Sequence, residues 1–217
     1  MSERGLLDLL AHDDRRRLLA TTHRRRFAAG EVIFHEGDPG NSVHLIESGH
    51  VAIRITTPLG DVAILTVLGP GSAFGELALL GDDERHSATA VAIGAVATRV
   101  LDRSEFEALR REHPQIERFL VALLAAQVRR LSELAVEAMF VPVDSRVLRR
   151  LLAVAEQFSE TGGTVIPLTQ DDLASLAGTT RPTANRVLKR AEADGLVRLA
   201  RGRIEILDHE HLERRAR

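Results

Sequence analysis

Residues 114–140 read PQIERFLVALLAAQVRRLSELAVEAMF, with proline in the first place and neither proline nor glycine after it. Proline is tolerated in a first helical turn, where its missing N–H would have no acceptor in any case. The stretch therefore reads as one helix of roughly 26 residues, about 39 Å long at 1.5 Å per residue. Val121, Leu124, Val128, Leu131, Ala135 and Ala138 follow a 3–4–3–4 spacing, which is that of a coiled-coil seam. Such a helix can pack on its own chain or against a second copy. Its length outruns a small β domain, which favours the second copy. FVPVD at 140–144 ends it, because Pro142 removes a donor and disfavours helix at Val141. Asp144 is then placed to cap a new helix, SRVLRRLLAVAEQF, so the main boundary of the chain falls here.

Upstream, the hydrophobic period is different. Between 27 and 101 the apolar runs are short: EVIF, SVHLI, HVAIRIT, VAILTVL and AVATRVL. Several alternate with polar residues, as half-buried strands do. Nine of the sixteen glycines fall between Gly30 and Gly81, where they punctuate these runs as turns or close approaches. Many short strands with regular turns imply a barrel or jelly roll. No internal repeat or low-complexity segment is present.

Composition narrows the function classes. Charged residues make up 28% of the 217, and no apolar run approaches the roughly 18 residues of a spanning helix. The opening MSERGLLDLLAHDDRRR lacks the apolar core of a signal peptide, so a cytoplasmic protein with no membrane partner is expected. Cysteine is absent, which excludes disulfides, thiol switches and cysteine-ligated iron–sulfur clusters. Residues 141–217 carry 13 basic and 11 acidic side chains, a net +2, and the rest carry 16 and 20, a net −4.

Residues 169–193, TQDDLASLAGTTRPTANRVLKRAEA, hold the second informative pattern. Thr169 is of a favoured N-cap type, with Asp171 and Asp172 in the first turn where the helix dipole favours them. The helix runs to about Ala177, and Gly178 permits a tight turn. Thr180 then caps a second helix that carries Pro182 near its start and Arg181, Arg186, Lys189 and Arg190 along it. A short helix, a glycine turn and a basic second helix make a helix-turn-helix. An ordinary helical hairpin with a solvated basic face is the alternative. DGLVRLARGRIEILD, read as two strands about Arg201-Gly202-Arg203, favours a winged module whose tip arginines reach phosphates.

The order of these parts resembles the Crp/Fnr superfamily of bacterial transcription regulators. GEVIFHEGDPGNSVHLIESGHV, FGELALL with the later SATA, VPVDSRVLRRLL and TRPTANRVLKRAEADGLV carry the resemblance over nearly the whole chain. It implies an α+β protein in three parts. Residues 1–113 would form a cyclic-nucleotide-binding-type β-roll (jelly roll) with N-terminal helices, 114–140 a dimerisation helix, and 141–217 a winged helix-turn-helix. It also implies a homodimeric, non-enzymatic regulator bound to two-fold-symmetric double-stranded DNA, with RNA polymerase as a further partner and cAMP or another cyclic nucleotide as effector. In such members a carboxylate at the place of Glu76 holds a ribose hydroxyl, and backbone N–H groups near Gly75, Glu76 and Leu77 face an anion. An arginine across the loop neutralises the phosphate and the next Ser or Thr, here Ser87, adds a hydrogen bond. Leu131 and Ser132 fall where a Thr-Ser pair reaches the purine. The resemblance assigns Thr169, Gln170, Thr180, Arg181, Pro182, Thr183, Arg186, Lys189, Arg201 and Arg203 to DNA binding.

Three departures from the family pattern leave alternatives. The arginine usually stands directly before Ser-Ala, but here that place is His86 and Arg85 comes one residue early. A one-residue shift on a strand turns the side chain to the other face, so either a bulge restores Arg85 or His86 faces the ligand with a pH-dependent charge. Leu131 lacks the hydroxyl of the purine-reading pair. Pro182 stands where catabolite-activator members carry a glutamate that accepts from cytosine. Glu76 and Arg85 as a solvated ion pair, with no small ligand, is the remaining reading of the loop, and the β region is then only a dimerisation scaffold. His35, His44 and His50 lie on expected strands and His209 and His211 near the tail, but none has metal-ligand spacing, so packed or solvated histidines are expected. Nothing in 141–217 has the pattern of a catalytic set, which disfavours a cyclic-nucleotide-controlled enzyme.

Overall fold

A computed structural model describes residues 16, 20–57, 60, 62–80, 84–158 and 165–217. The expected N-terminal helices, and Gly81–Asp83 of the loop after FGELALL, lie outside the described residues or nearly so. The chain divides into two compact units. One holds residues up to Ile55 together with Leu68–Arg129, and the other holds Thr56–Val67 with Arg130–Arg217.

The first unit is built on antiparallel strands. β1 (His23–Phe27) pairs with β6 (Thr89–Asp102), and β6 pairs with β3 (Ser42–Thr56). The short β2 (Val32–Phe34) pairs with β6 and β5 (Ala73–Phe74) with β3, while β4 (Val62–Leu68) belongs, all but its last residue, to the second unit. Alternation on β3 sorts two cores, as a period of two requires. Val43 and Leu45 join Leu79, Leu101, Phe106, Leu109 and Leu120 in one cluster. Ile46 and Val51 join Phe27, Phe74, Ala90, Ala92 and Val96 in the other. Helices α1 (Leu77–Leu80) and α2 (Arg103–Glu112) supply Leu79, Phe106 and Leu109 to the first cluster.

The structure corrects three sequence expectations here. SVHLI and HVAIRIT form one strand, with register shifts on either side of Ser48 absorbing the interruption, as β-bulges do. β1 was not expected, because HRRRF has no apolar alternation. One of its exposed arginines is held by β3: Glu47 pairs with Arg24 at 2.6 Å and with Arg99 of β6 at 2.7 Å. The last strand begins at Thr89 rather than near Ala95.

The long helix is α3 (Pro114–Phe140), with the expected bounds. The boundary between the compact units falls within it, at Arg129/Arg130. In the second unit it leads through Val141 and Pro142 into α4 (Val143–Phe158), which buries Val147, Leu148, Leu151, Val154 and Phe158 on one face. α4 starts at Val143, so Asp144 sits inside the first turn and is not the N-cap. Helices α5 (Gln170–Leu176) and α6 (Arg181–Ala193) follow, then the β8 (Val197–Ala200) and β9 (Arg203–Ile206) hairpin. A third strand, β7 (Val165–Ile166), pairs with β9. The terminal α7 (His209–Ala216) is capped by Asp208 and buries Leu212 and Ala216. Neither β7 nor α7 was expected from sequence.

The joint between α3 and α4 is tied by side chains. Arg146 donates to the carbonyls of Ala138 at 3.1 Å and Val141 at 3.3 Å, and to those of Ala177 at 3.3 Å and Gly178 at 3.4 Å. Glu137 pairs with both Arg149 and Arg150. On the other side, the Ser175 hydroxyl donates to Val62 C=O at 2.6 Å and accepts from Ile64 N–H at 3.0 Å.

Candidate functional site

Two regions hold the residues singled out by sequence, one in each unit. In the first, Gly75 has φ +89°, and a Cβ there would lie 2.9 Å from Ser42 O; only glycine turns the chain at this point without strain. Glu76 accepts backbone bonds at its C=O from Leu79 and Leu80, at 2.9 and 3.2 Å, and so opens α1. Its carboxyl is pushed up from the usual range, chiefly by burial and partly offset by its own backbone N–H. Among the described residues no cation pairs with it. Leu77 is exposed.

Arg85 and His86 divide as strand alternation predicts, and no bulge reverses them. Arg85 is exposed; its Nη1 donates to Gly37 O at 2.6 Å, and its backbone bridges to Pro39. The Glu76–Arg85 ion pair allowed by sequence is not formed among the described residues. His86 turns inward at 6% exposure and stacks on Phe34 with centroids 3.5 Å apart and planes 5° apart. Its Cε1 lies 3.5 Å from where a Gly75 Cβ would stand, so it packs against the turn that carries Glu76. Burial pushes the His86 pKa down, with Asp38 opposing, so the ring is neutral at neutral pH. Ser87 is exposed.

Behind His86 lies an aromatic cluster that sequence reasoning did not assemble. His44 stacks on Phe74 at 5.0 Å and contacts Phe34 at 5.9 Å and Phe27 at 6.2 Å, and its Nδ1 lies 3.2 Å from Thr98 Oγ1. His44 and His50 are buried on β3, as packed histidines, while His35 is exposed. Arg103 was also missed. Its guanidinium donates to Gly40 O at 2.9 Å and Ala78 O at 3.1 Å, and so fixes α1 to the loop before β3. No described group of three or more His, Cys, Asp or Glu could hold a metal. Leu131 and Ser132 are exposed on the second unit's part of α3.

The second region is the face of the helix-turn-helix. Thr169 caps α5: its Oγ1 accepts from Asp172 N–H at 3.0 Å, and its own N–H donates to Asp172 Oδ2 at 3.0 Å. This reciprocal pair is a capping box. Gly178, at φ +58°, makes the turn, and Thr179 N–H donates to Ala174 O at 3.0 Å. Thr180 is the N-cap of α6, though its hydroxyl contacts Thr183 Oγ1 at 3.1 Å rather than a backbone N–H. Ala184, Val187, Leu188 and Ala191 bury one face of α6, which leaves Arg181, Pro182, Arg186 and Lys189 on the exposed face.

An open cleft of about 590 Å³ lies between the start of α5, α6 and the hairpin. It is lined by Thr169, Gln170, Arg181, Lys189 and Arg201, among others. Five residues expected to bind DNA thus line one open cleft, where the cations Arg181, Lys189 and Arg201 outnumber the single carboxylate, Asp171. Lys189 Nζ also reaches Glu192 at 2.8 Å. Arg203 is exposed on β9 outside the cleft, and Arg186 is turned toward Asp144.

The family model described as cyclic nucleotide-binding domain matches residues 24–113, and that described as Crp-like helix-turn-helix domain matches residues 145–215. The chain belongs to the Crp/Fnr superfamily of transcription regulators. It is 34% identical to the CRP-like cAMP-activated global transcriptional regulator of Mycobacterium tuberculosis, over 88% of this chain and 87% of that one. It is 36% identical to the cyclic AMP receptor protein of Thermus thermophilus, over 90% and 88%. Among solved structures, the c-di-GMP responsive global regulator CLP of Xanthomonas campestris matches with a TM-score of 0.72 at 25% identity, over 88% and 96%. The Crp/Fnr chain is thus a DNA-binding regulator with an effector-domain fold, and its relatives are regulators, not enzymes. No described helix is long and apolar enough to cross a membrane.

Proposed function

We propose that the protein is a homodimeric, sequence-specific transcription regulator of the cytoplasm whose DNA affinity is set by a small effector bound in the first unit. The observation that carries DNA recognition is the convergence of Thr169, Gln170, Arg181, Lys189 and Arg201 on one cleft beside α6. In this motif the second helix enters the major groove. Two copies joined through α3 would read a two-fold-symmetric site. Val121, Val128 and Leu131 of the seam are 57–65% exposed on the single chain, which supports a partner helix. RNA polymerase is the further partner that the family resemblance brings.

The effector we propose is a cyclic nucleotide such as cAMP, the ligand named for the Mycobacterium and Thermus relatives. Glu76 supports it: a part-buried carboxylate with no described cation is suited to a sugar hydroxyl. Arg85 and Ser87 remain the other proposed contacts in this unit. A specific observation favours a second reading, in which the β-roll is an effector-independent scaffold. The inward position holds a neutral, stacked His86, and Arg85 is committed to Gly37 O, so neither offers a free cation to a phosphate. Calorimetric titration of the purified protein with cAMP, cGMP and c-di-GMP separates the two. Saturable binding that Glu76→Ala weakens roughly 10- to 150-fold supports the effector; no heat with any of the three supports the scaffold.

A further inference from the structure

We propose that Asp144 is an intramolecular competitor for Arg186, and that it sets the affinity of this protein for operators carrying a guanine at the position Arg186 reads. The inference rests on the reading of α6 as a DNA-recognition helix. Arg186 lies on the exposed face of α6, but its guanidinium does not point free. Nη2 donates to Asp144 Oδ1 at 2.6 Å and Nη1 to Asp144 Oδ2 at 3.1 Å. Two parallel N–H bonds into two acceptors are the arrangement in which arginine reads guanine O6 and N7. The edge that would meet guanine is therefore already occupied by a carboxylate of this chain.

The acceptor is anchored and the donor is mobile. Asp144 sits in the first turn of α4, where the helix dipole favours a negative charge, and α4 is tied to α3 through Glu137 with Arg149 and Arg150. Arg186 is 57% exposed along its side chain and has a long stem free to swing. Guanine replaces both bonds that Arg186 gives up. A base with a single acceptor replaces one, so the pair with Asp144 persists there. Arg190 and Arg215 also lower the Asp144 pKa, after the larger effect of the Arg186 hydrogen bond. The carboxylate thus keeps positive neighbours when Arg186 leaves.

The test uses full-length protein, with and without cAMP. The probes are a duplex selected by the unmodified protein from a random library, the same duplex with the Arg186-read guanine replaced, and a random duplex. That guanine is identified as the base pair whose replacement weakens the unmodified protein but not Arg186→Ala. Asp144→Ala and the size-conserving Asp144→Asn should each bind the selected duplex about 3- to 10-fold more tightly, as removal of an exposed but bidentate competitor implies. The gain should be less than about twofold on the other two duplexes, and absent when Arg186→Ala is combined with either, since coupling between contacting residues vanishes once one is removed. Unchanged or weaker binding of the selected duplex by both variants overturns the proposal. An equal gain on all three duplexes that survives Arg186→Ala also overturns it, because that is the removal of a general repulsive charge. If the unmodified protein selects no duplex under either condition, the reading of α6 falls and the inference with it.

Discussion

His44 makes the first unit sensitive to acid. The ring is 2% exposed and sits among Phe27, Phe34 and Phe74. Burial, followed by the charges of Arg25, His86 and His23, lowers its pKa from 6.5 to about 3. The folded state therefore holds the neutral ring, whereas the unfolded chain takes a proton below about pH 6.5. This contribution is complete above the unfolded pKa and is lost as pH falls from 6.5 toward 3. At about 1.36 kcal/mol per pK unit, the loss reaches roughly 2 kcal/mol at pH 5. His44→Phe supplies a ring that suits the aromatic neighbours and does not titrate. It leaves the Thr98 hydroxyl, 3.2 Å from Nδ1, without that partner, at a cost of about 1 kcal/mol at every pH. The two proteins should then cross: the variant about 1 kcal/mol less stable at pH 7 and about 1 kcal/mol more stable at pH 5. Urea unfolding followed by circular dichroism at pH 7, 6 and 5 reads the crossing. A constant difference between the two across that range would refute the argument.

Leu124→Asp places paired charges in the proposed α3 seam at a cost of several kcal/mol; sedimentation should show dimer for the unmodified protein and monomer for the variant, and a monomeric unmodified protein at micromolar concentration removes the seam. Glu76→Ala should weaken cyclic-nucleotide binding roughly 10- to 150-fold, the loss of one charge-assisted hydrogen bond of about 1.5–3 kcal/mol. Because burial lowers the His86 pKa below its ordinary value, the ring is neutral above pH 7 and affinity for a cyclic nucleotide should stay level from pH 7 to 8; a fall across that range would assign the phosphate to a protonated His86. Lys189→Ala should weaken binding to all duplexes alike and reduce the salt slope by about one. Selection from random duplexes should return a two-fold-symmetric site with guanine preferences and a relaxed base pair opposite Pro182; equal stringency there would show that Pro182 is not the determinant.

What the sequence made legible follows from which forces are local. The bounds of α3 were readable because a proline at each end and an uninterrupted helical period act within a few residues. The helix-turn-helix was readable because Thr169, Gly178 and Pro182 satisfy backbone rules at fixed offsets. β1 was not readable, since HRRRF becomes a strand only through pairing with β6 and through Glu47 (both distant in sequence). β7 and α7 were missed for related reasons: two residues show no period, and α7 depends on a cap and two buried positions. At the candidate sites, sequence named Glu76, Arg85 and His86 but left open which of the last two turns inward. That choice depends on Phe34, fifty-odd residues away, which offers His86 a ring to stack on. Asp144 was read as a cap because only local offsets were visible; its bond to Arg186 spans 42 residues.

The boundary expected at 140–144 is a clamped joint. Arg146 places one cation against carbonyls at the C-terminal ends of two helices, α3 and α5, where the helix dipoles favour positive charge. Glu137 adds a second tie between α3 and α4. Bending at Pro142 would break several of these bonds together, so the last turns of α3 and the DNA-binding face form one mechanical piece. An effector shifts a two-state equilibrium only by its differential affinity for the states. A joint that absorbed the motion would spend that difference locally. A joint that resists it passes a rotation of residues 130–140 directly to α5 and α6. Under the proposed effector control, the clamp makes the long helix, rather than the proline after it, the element whose arrangement an effector would bias.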